Sequence, residues 1–409
     1  MTKKRLNLRN MVKTVAILAG ISSMMLLGCE KPPIDEPTPK DAIELKSPIT
    51  ENKTLKDLGL PIDYFYNGDV LLEVKNGATL TIEDSVTIQF RKAGGGIHVI
   101  DGATIKTLGT AEKRIQFIGA SNTKGAWRGV KVETMTDNQF VYCDFLNAGV
   151  DLPGIAGLYL FHAKASITHC KFTNGSGHGL YVHNYENDCQ LTTFNNNVFE
   201  NFDLPPVYIY NSNLKQLEKF DMTSDFTKNA KAYIEIDNRE MVGNVTINQT
   251  TVPFYFNNIL DINHTLTINE GVTIYMPQYI GFGGDPFSPD SRLMINGTAA
   301  KKVKITRLPG ETDNWGCING QWLPGSVIKH CILEYGGEFD HQGVIFAPNG
   351  TDITLENVEF KNTKTYDGVI PFSDYNYVIR HSNITYSRPS GNVWDGHREP
   401  NNEVIDAFP

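Results

Sequence analysis

A chain of 409 residues, 40% hydrophobic and 20% charged, can bury a large core, which excludes a disordered chain and one embedded uniformly in membrane. Its formal charge of −9, with no basic stripe, argues against nucleic acid as a partner. With 36 glycines and few long amphipathic runs, the chain is expected to be all-β, built of short strands joined by tight turns.

At the N-terminus, Lys3, Lys4, Arg5, Arg9 and Lys13 precede an apolar run, residues 14–28, too short for an ordinary transmembrane helix. Residues 1–28 therefore read as a secretory signal. It ends Leu26-Leu27-Gly28-Cys29, which resembles a bacterial lipobox, where the Cys thiol is diacylated and the signal is cut before it. The resemblance implies lipidation at Cys29 and a membrane as partner through that lipid. Residues 29–45 form a tether, because EKPPIDEPTPK is too rich in proline and charge to fold. Acids just behind the anchor resemble the export signal of Bacteroidota surface lipoproteins, which implies an outer-membrane lipoprotein and leaves both the cell surface and the periplasmic face open.

The folded part repeats itself. TLTIEDSVTI at residues 79–88 returns as TLTINEGVTI at 265–274, with seven of ten positions matching. Trp127 and Trp315, Cys143 and Cys331, and Phe172 and Phe360 are all 188 positions apart, and GTAEK at 109 is echoed by GTAAK at 297. Two tandem homologous modules are expected, at 46–228 and at 229–409 with a C-terminal cap. A short helix is expected near residues 213–220, and FSPD at 287–290 falls in an insertion.

Within each module a shorter period appears. Cys143-Asp144-Phe145, Cys170-Lys171-Phe172 and Asn197-Val198-Phe199 recur every 27 residues. Apolar residues alternate in Leu158-Tyr159-Leu160, Leu180-Tyr181-Val182 and Val207-Tyr208-Ile209, which is a strand period. Strands this short cannot bury an inner face alone, so each unit must stack on its neighbours as a coil of a parallel β-solenoid, ~4.8 Å per coil. The run TLTIEDSVTIQF, GGGIHVIDGATIKTLGTAEKRIQF, AWRGV and ITHCKFTNGSGHGLYV resembles the right-handed parallel β-helix lipoproteins of Bacteroidota, relatives of the pectin-lyase fold. That resemblance covers about residues 68–172 and 257–369. It implies a right-handed parallel β-helix and says nothing of activity, because the recurring residues are inward aliphatics and turn glycines.

In Cys-x-Phe both outer positions share one strand face, so Cys143 and Cys170 are expected inside, stacked as thiols in adjacent coils. In-register stacking gives poor disulfide torsion. Cys189, Cys317 and Cys331 complete the set, and no pair has zinc-finger spacing. Tyr142, His169 and Asn196, with His330 and Asn357, form a polar column expected to bond turn backbone rather than a metal. Trp127 and Trp315 are expected to fill corners.

Function is sought where alternation points outward: Tyr159, Tyr181 and Tyr208 in one column, Phe161, His183 and Tyr210 in the next. Exposed ring faces suit sugar C–H groups or another protein, so these six residues are the candidate ligand site. Gly177-His178-Gly179 resembles the Gly-His-Gly of polygalacturonases, whose clustered carboxylates and histidine cleave glycosidic bonds. Here only Asp151 lies one coil before it, and hydrolysis needs two carboxyl groups at a defined separation. Lyase chemistry would need Lys164, Lys171 or Arg128 beside acidic Ca²⁺ ligands, and no acidic cluster aligns with them. The expectation is a non-catalytic binder of polysaccharide or of a cell-surface protein, with no catalytic residue, metal or cofactor. A polysaccharide lyase or glycoside hydrolase, and a structural spacer or adhesin, are the alternatives.

Overall fold

The computed structural model describes residues 41–149, 156–183, 189–210, 214–285, 287–320, 322–338, 343–347, 351–363, 369–371 and 378–387. Residues 1–40, where the signal, Cys29 and most of the tether are expected, lie outside these, as do Asp151 and residues 388–409. The described chain is a parallel β-solenoid of about eleven turns with almost no helix. In its first half three walls of parallel strands stack coil on coil. One wall runs from Ile43–Glu44 through Thr87–Phe90 and Cys143–Leu146 to Asp225–Lys228. A second runs from Lys53–Leu55 through Asn138–Val141 to Gln190–Asn195, and a third from Leu71–Val74 through Ala156–Phe161 to Ile234–Asp237.

Alternation in the strands sorts side chains into an interior and a surface, and identical registers turn each interior position into a ladder. On the first wall Phe117, Phe145, Phe172, Phe199 and Phe226 stack in succession; the rings of Phe145 and Phe172 lie 4.6 Å apart and 4° from parallel, and Phe172 and Phe199 4.5 Å and 6°. Cys143 and Cys170 are buried beside this ladder as free thiols. Burial, with Cys170 next to it, pushes the Cys143 thiol well above its ordinary range. In the third coil Asn197 takes the cysteine's place, and its side-chain oxygen accepts from the Cys170 backbone N–H at 3.0 Å.

In the first half the polar column, Tyr142, His169 and Asn196, sits at the turn into this wall, whereas His330 and Asn357 lie within the strands Ser326–Glu334 and Asp352–Lys361. Tyr142, His169, Asn196, His330 and Asn357 all have φ between 44° and 56°, the left-handed conformation that a sharp corner demands. The side chains then stack: Tyr142 lies on His169 at 4.4 Å, and Asn383 donates to Asn357 Oδ1 at 3.1 Å. Trp127 and Trp315 are fully buried corner residues, the first stacked on Phe90 at 4.4 Å.

The 3₁₀ helix Leu214–Lys219 stands on the second wall between Gln190–Asn195 and Val245–Ile247. A helix offers no strand edge, so the Gln216 side-chain amide bonds both the Leu191 N–H and the Cys189 carbonyl in its place. Above it the wall pattern shifts. Ile234–Asp237 pairs directly with Phe254–Phe256, and that strand with Thr273–Tyr275. Thr273–Tyr275 is the sequence counterpart of Thr87–Phe90, a first-wall strand, yet it continues the third wall. A new wall, starting at Leu260–Ile262 and passing through Phe282–Gly284 and Ile318–Gly320, takes the vacated role.

Candidate binding face

The third wall carries the outward residues in strict register. Tyr159, Tyr181 and Tyr208 are consecutive partners, as are Phe161, His183 and Tyr210. The same outward column begins at Glu73, passes His98 and Lys131 before the tyrosines, and goes on through Glu235, Tyr255 and Tyr275 to Thr306. Inward neighbours Leu158, Leu180 and Val207 fix this phase by filling the core.

The expectation of six exposed rings is corrected by the packing. Tyr181 is 7% exposed and His183 8%, while Tyr159, Phe161, Tyr208 and Tyr210 are half-buried. Strand neighbours lie about 4.8 Å apart, close to ring-stacking distance, so the rings turn their faces to each other. Tyr159 and Tyr181 stack at 4.9 Å, and Tyr181 and Tyr208 at 5.1 Å.

Polar contacts tie the stack together. The Tyr159 hydroxyl lies 2.9 Å from His183 Nδ1. Burial, and then the nearby His162 and Lys131, hold the His183 imidazole below its ordinary value, so it is neutral at neutral pH. Lys131 Nζ lies 5.1 Å from the Phe161 ring centre and 5.7 Å from that of Tyr159, and is 2.6 Å from Glu133. Burial pushes the Glu133 carboxyl up, but bonds from Lys131 and from His98 at 2.9 Å outweigh it and hold it low. At the other end the Tyr208 hydroxyl donates to Asp237 Oδ2 at 2.9 Å; burial and then this carboxylate push the phenol well above its usual range. Burial likewise raises the Glu235 carboxyl, which accepts from Asn257 at 2.7 Å.

His178 opens the strand His178–His183. Its Nδ1 lies 2.7 Å from the Pro205 carbonyl and its ring stacks on Tyr208 at 4.9 Å. The flanking Gly179 is demanded by packing, since a Cβ there would meet the Phe199 ring at 2.5 Å. Lys164 and Lys171 are engaged in ion pairs, with Asp137 at 2.6 Å and Glu200 at 2.7 Å.

Sequence reasoning missed Lys131, Glu235, Tyr255 and Tyr275 as members of the column. Outward phase within FYF at 254–256 was legible, but its stacking on Glu235 depends on the shift between the halves. No protein-family model, curated protein or solved structure was found to match this chain.

Proposed function

We propose that this chain is a lipid-anchored outer-membrane protein of the Bacteroidota type, exposed at the cell surface, whose β-helix binds a glycan or a surface protein without catalysing a reaction. The observation that carries this reading is the register of the third wall, where His98, Lys131, Tyr159, Tyr181, Tyr208 and Glu235 follow one another coil by coil in one outward column. Such a column offers aromatic and charged side chains at strand spacing, which suits an extended ligand lying along the solenoid. The anchor reading rests on the lipobox-like Leu26–Cys29 sequence.

The test is retention of the mature chain on glycan arrays and on immobilised envelope proteins. Phe161→Ala with Tyr210→Ala removes half-buried rings, and Tyr181→Ala with Tyr208→Ala removes the stack's centre. Both pairs are expected to abolish retention; unchanged retention by variants that melt normally removes the face from the site. Incorporation of a labelled lipid precursor is expected in the parent and not in Cys29→Ala.

A further inference from the structure

The column ends at a cleft of about 320 Å³ in the second half of the chain, at the small end of the ~300–1,000 Å³ typical of ligand pockets. Its floor is an ion pair, Lys304 Nζ to Glu334 Oε2 at 2.7 Å, with the Thr306 hydroxyl donating to the same oxygen at 3.2 Å. Tyr275 lines one side. Opposite, the Arg307 guanidinium lies 3.9 Å from the centre of the Tyr335 ring and also bonds the Thr312 carbonyl, which folds the loop of residues 307–313 over the edge. Gly310, at φ 95°, makes the turn that carries Glu311 to the rim.

The first half of the chain supplies an internal control. By the sequence match, Tyr275, Lys304, Arg307, Glu334 and Tyr335 correspond to Gln89, Gln116, Gly119, Leu146 and Asn147. There the equivalent loop is drawn down onto the coils. Asn147 donates to the Ser121 carbonyl at 3.2 Å, Asn174 to that of Asn122 at 3.1 Å, and a Cβ on Gly119 would meet Ala126 at 2.4 Å. At these five positions the first half therefore folds with neither charge nor aromatic rings, and the β-helix itself does not call for these five residues in the second half.

Their chemistry narrows the ligand. Lys304 and Arg307 are matched by Glu334 and Glu311, so an anion meets a carboxylate and a cation meets an ammonium or guanidinium. Among the described residues the Glu311 carboxylate makes no hydrogen bond or ion pair, and it faces the cleft as a free acceptor. Hydrogen-bond donors, acceptors and two tyrosine rings in a charge-balanced cavity match a compact neutral molecule rich in hydroxyls.

We propose that this cleft is a saccharide subsite for one neutral sugar unit, with Glu311 and Glu334 accepting from its hydroxyls and Lys304 and Arg307 donating to its oxygens. The cleft uses none of the six residues of the Tyr159–Tyr210 face, so it stands or falls separately from the reading above.

The experiment is saturation-transfer NMR with titration on the mature chain. Its probes are methyl β-D-glucopyranoside, methyl β-D-galactopyranoside and methyl α-D-mannopyranoside, with galacturonate and inorganic phosphate as charged probes. Saturable binding of at least one neutral glycoside is expected, weakened about tenfold or more in Arg307→Gly and Tyr335→Asn, which install the first-half residues. Glu311→Ala, on the rim loop, is expected to weaken it equally, and it carries the test if either of those variants melts early. Tyr181→Ala with Tyr208→Ala is expected to leave this binding in place. No neutral glycoside bound, binding indifferent to Glu311→Ala, or preference for galacturonate or phosphate would each overturn the proposal.

Discussion

Trp127 and Trp315, 188 positions apart in sequence, make the same bond: each donates its indole N–H to the carbonyl 19 residues further on, Leu146 at 2.8 Å and Glu334 at 2.7 Å. Each ring thereby closes a corner of its coil against the strand of the next. A buried indole needs a partner for its N–H, and the strand-end carbonyl supplies an acceptor at the corner.

Removing that corner is expected to be costly. Trp127→Ala should destabilise the chain by ~3–5 kcal/mol, from lost burial and a cavity beside Phe90 and Phe117. Trp127→Phe keeps most of the packing but removes the indole bond to the Leu146 carbonyl, at ~0.5–1.5 kcal/mol. Urea denaturation of both variants measures this, and equal midpoints for parent and Trp127→Phe would show that the bond contributes nothing.

Asn174 combines a backbone and a side-chain demand. It sits at φ 62°, donates to Asn147, and accepts from Asn201 at 2.8 Å. Asn174→Ala is expected to lose ~1–2 kcal/mol through the left-handed backbone and about 1 kcal/mol more through the ladder. Asn174→Gly keeps the backbone and loses only the ladder, so its thermal midpoint should fall between those of the parent and Asn174→Ala. The reverse order would assign the larger share to the side-chain bonds.

Tyrosines on the third wall predict an alkaline limb of stability. Burial raises Tyr233 and Tyr255 to about 12, with Glu235 and Glu311 adding to it, and Tyr208 rises further still. The folded state then holds protons that the unfolded state, at 10.0, releases, so stability is full below about pH 10 and falls as pH rises from there. Tyr255→Phe should flatten the decline in urea midpoint between about pH 10 and 12. An unchanged slope would place the alkaline loss elsewhere.

Much of the fold could be read from spacing alone. A 27-residue Cys-x-Phe period demanded stacked coils, and Phe145, Phe172 and Phe199 do form one ladder. His169 and Asn196 could be placed at a turn because they interchange at one position, and both adopt positive φ. The candidate face was legible in phase but not in exposure. Alternation says that Tyr181 leaves the core; it does not say that its ring will lie against Tyr159 and Tyr208, which is set by the spacing between coils.

The sequence by itself determined the coil, its inward ladders and its turn column, because these follow from periodicities of two and of 27 residues that any in-register stack must obey. Only the tertiary structure decided where the second half sits on the first. Ile234–Asp237 pairs directly with Phe254–Phe256, moving the counterpart of a first-wall strand onto the third wall. That shift carries the tyrosine column into Tyr275 and brings it to residues 304–311, 334 and 335. These residues are remote in sequence and share no spacing rule, so only the stacking of coils brings them into one cleft.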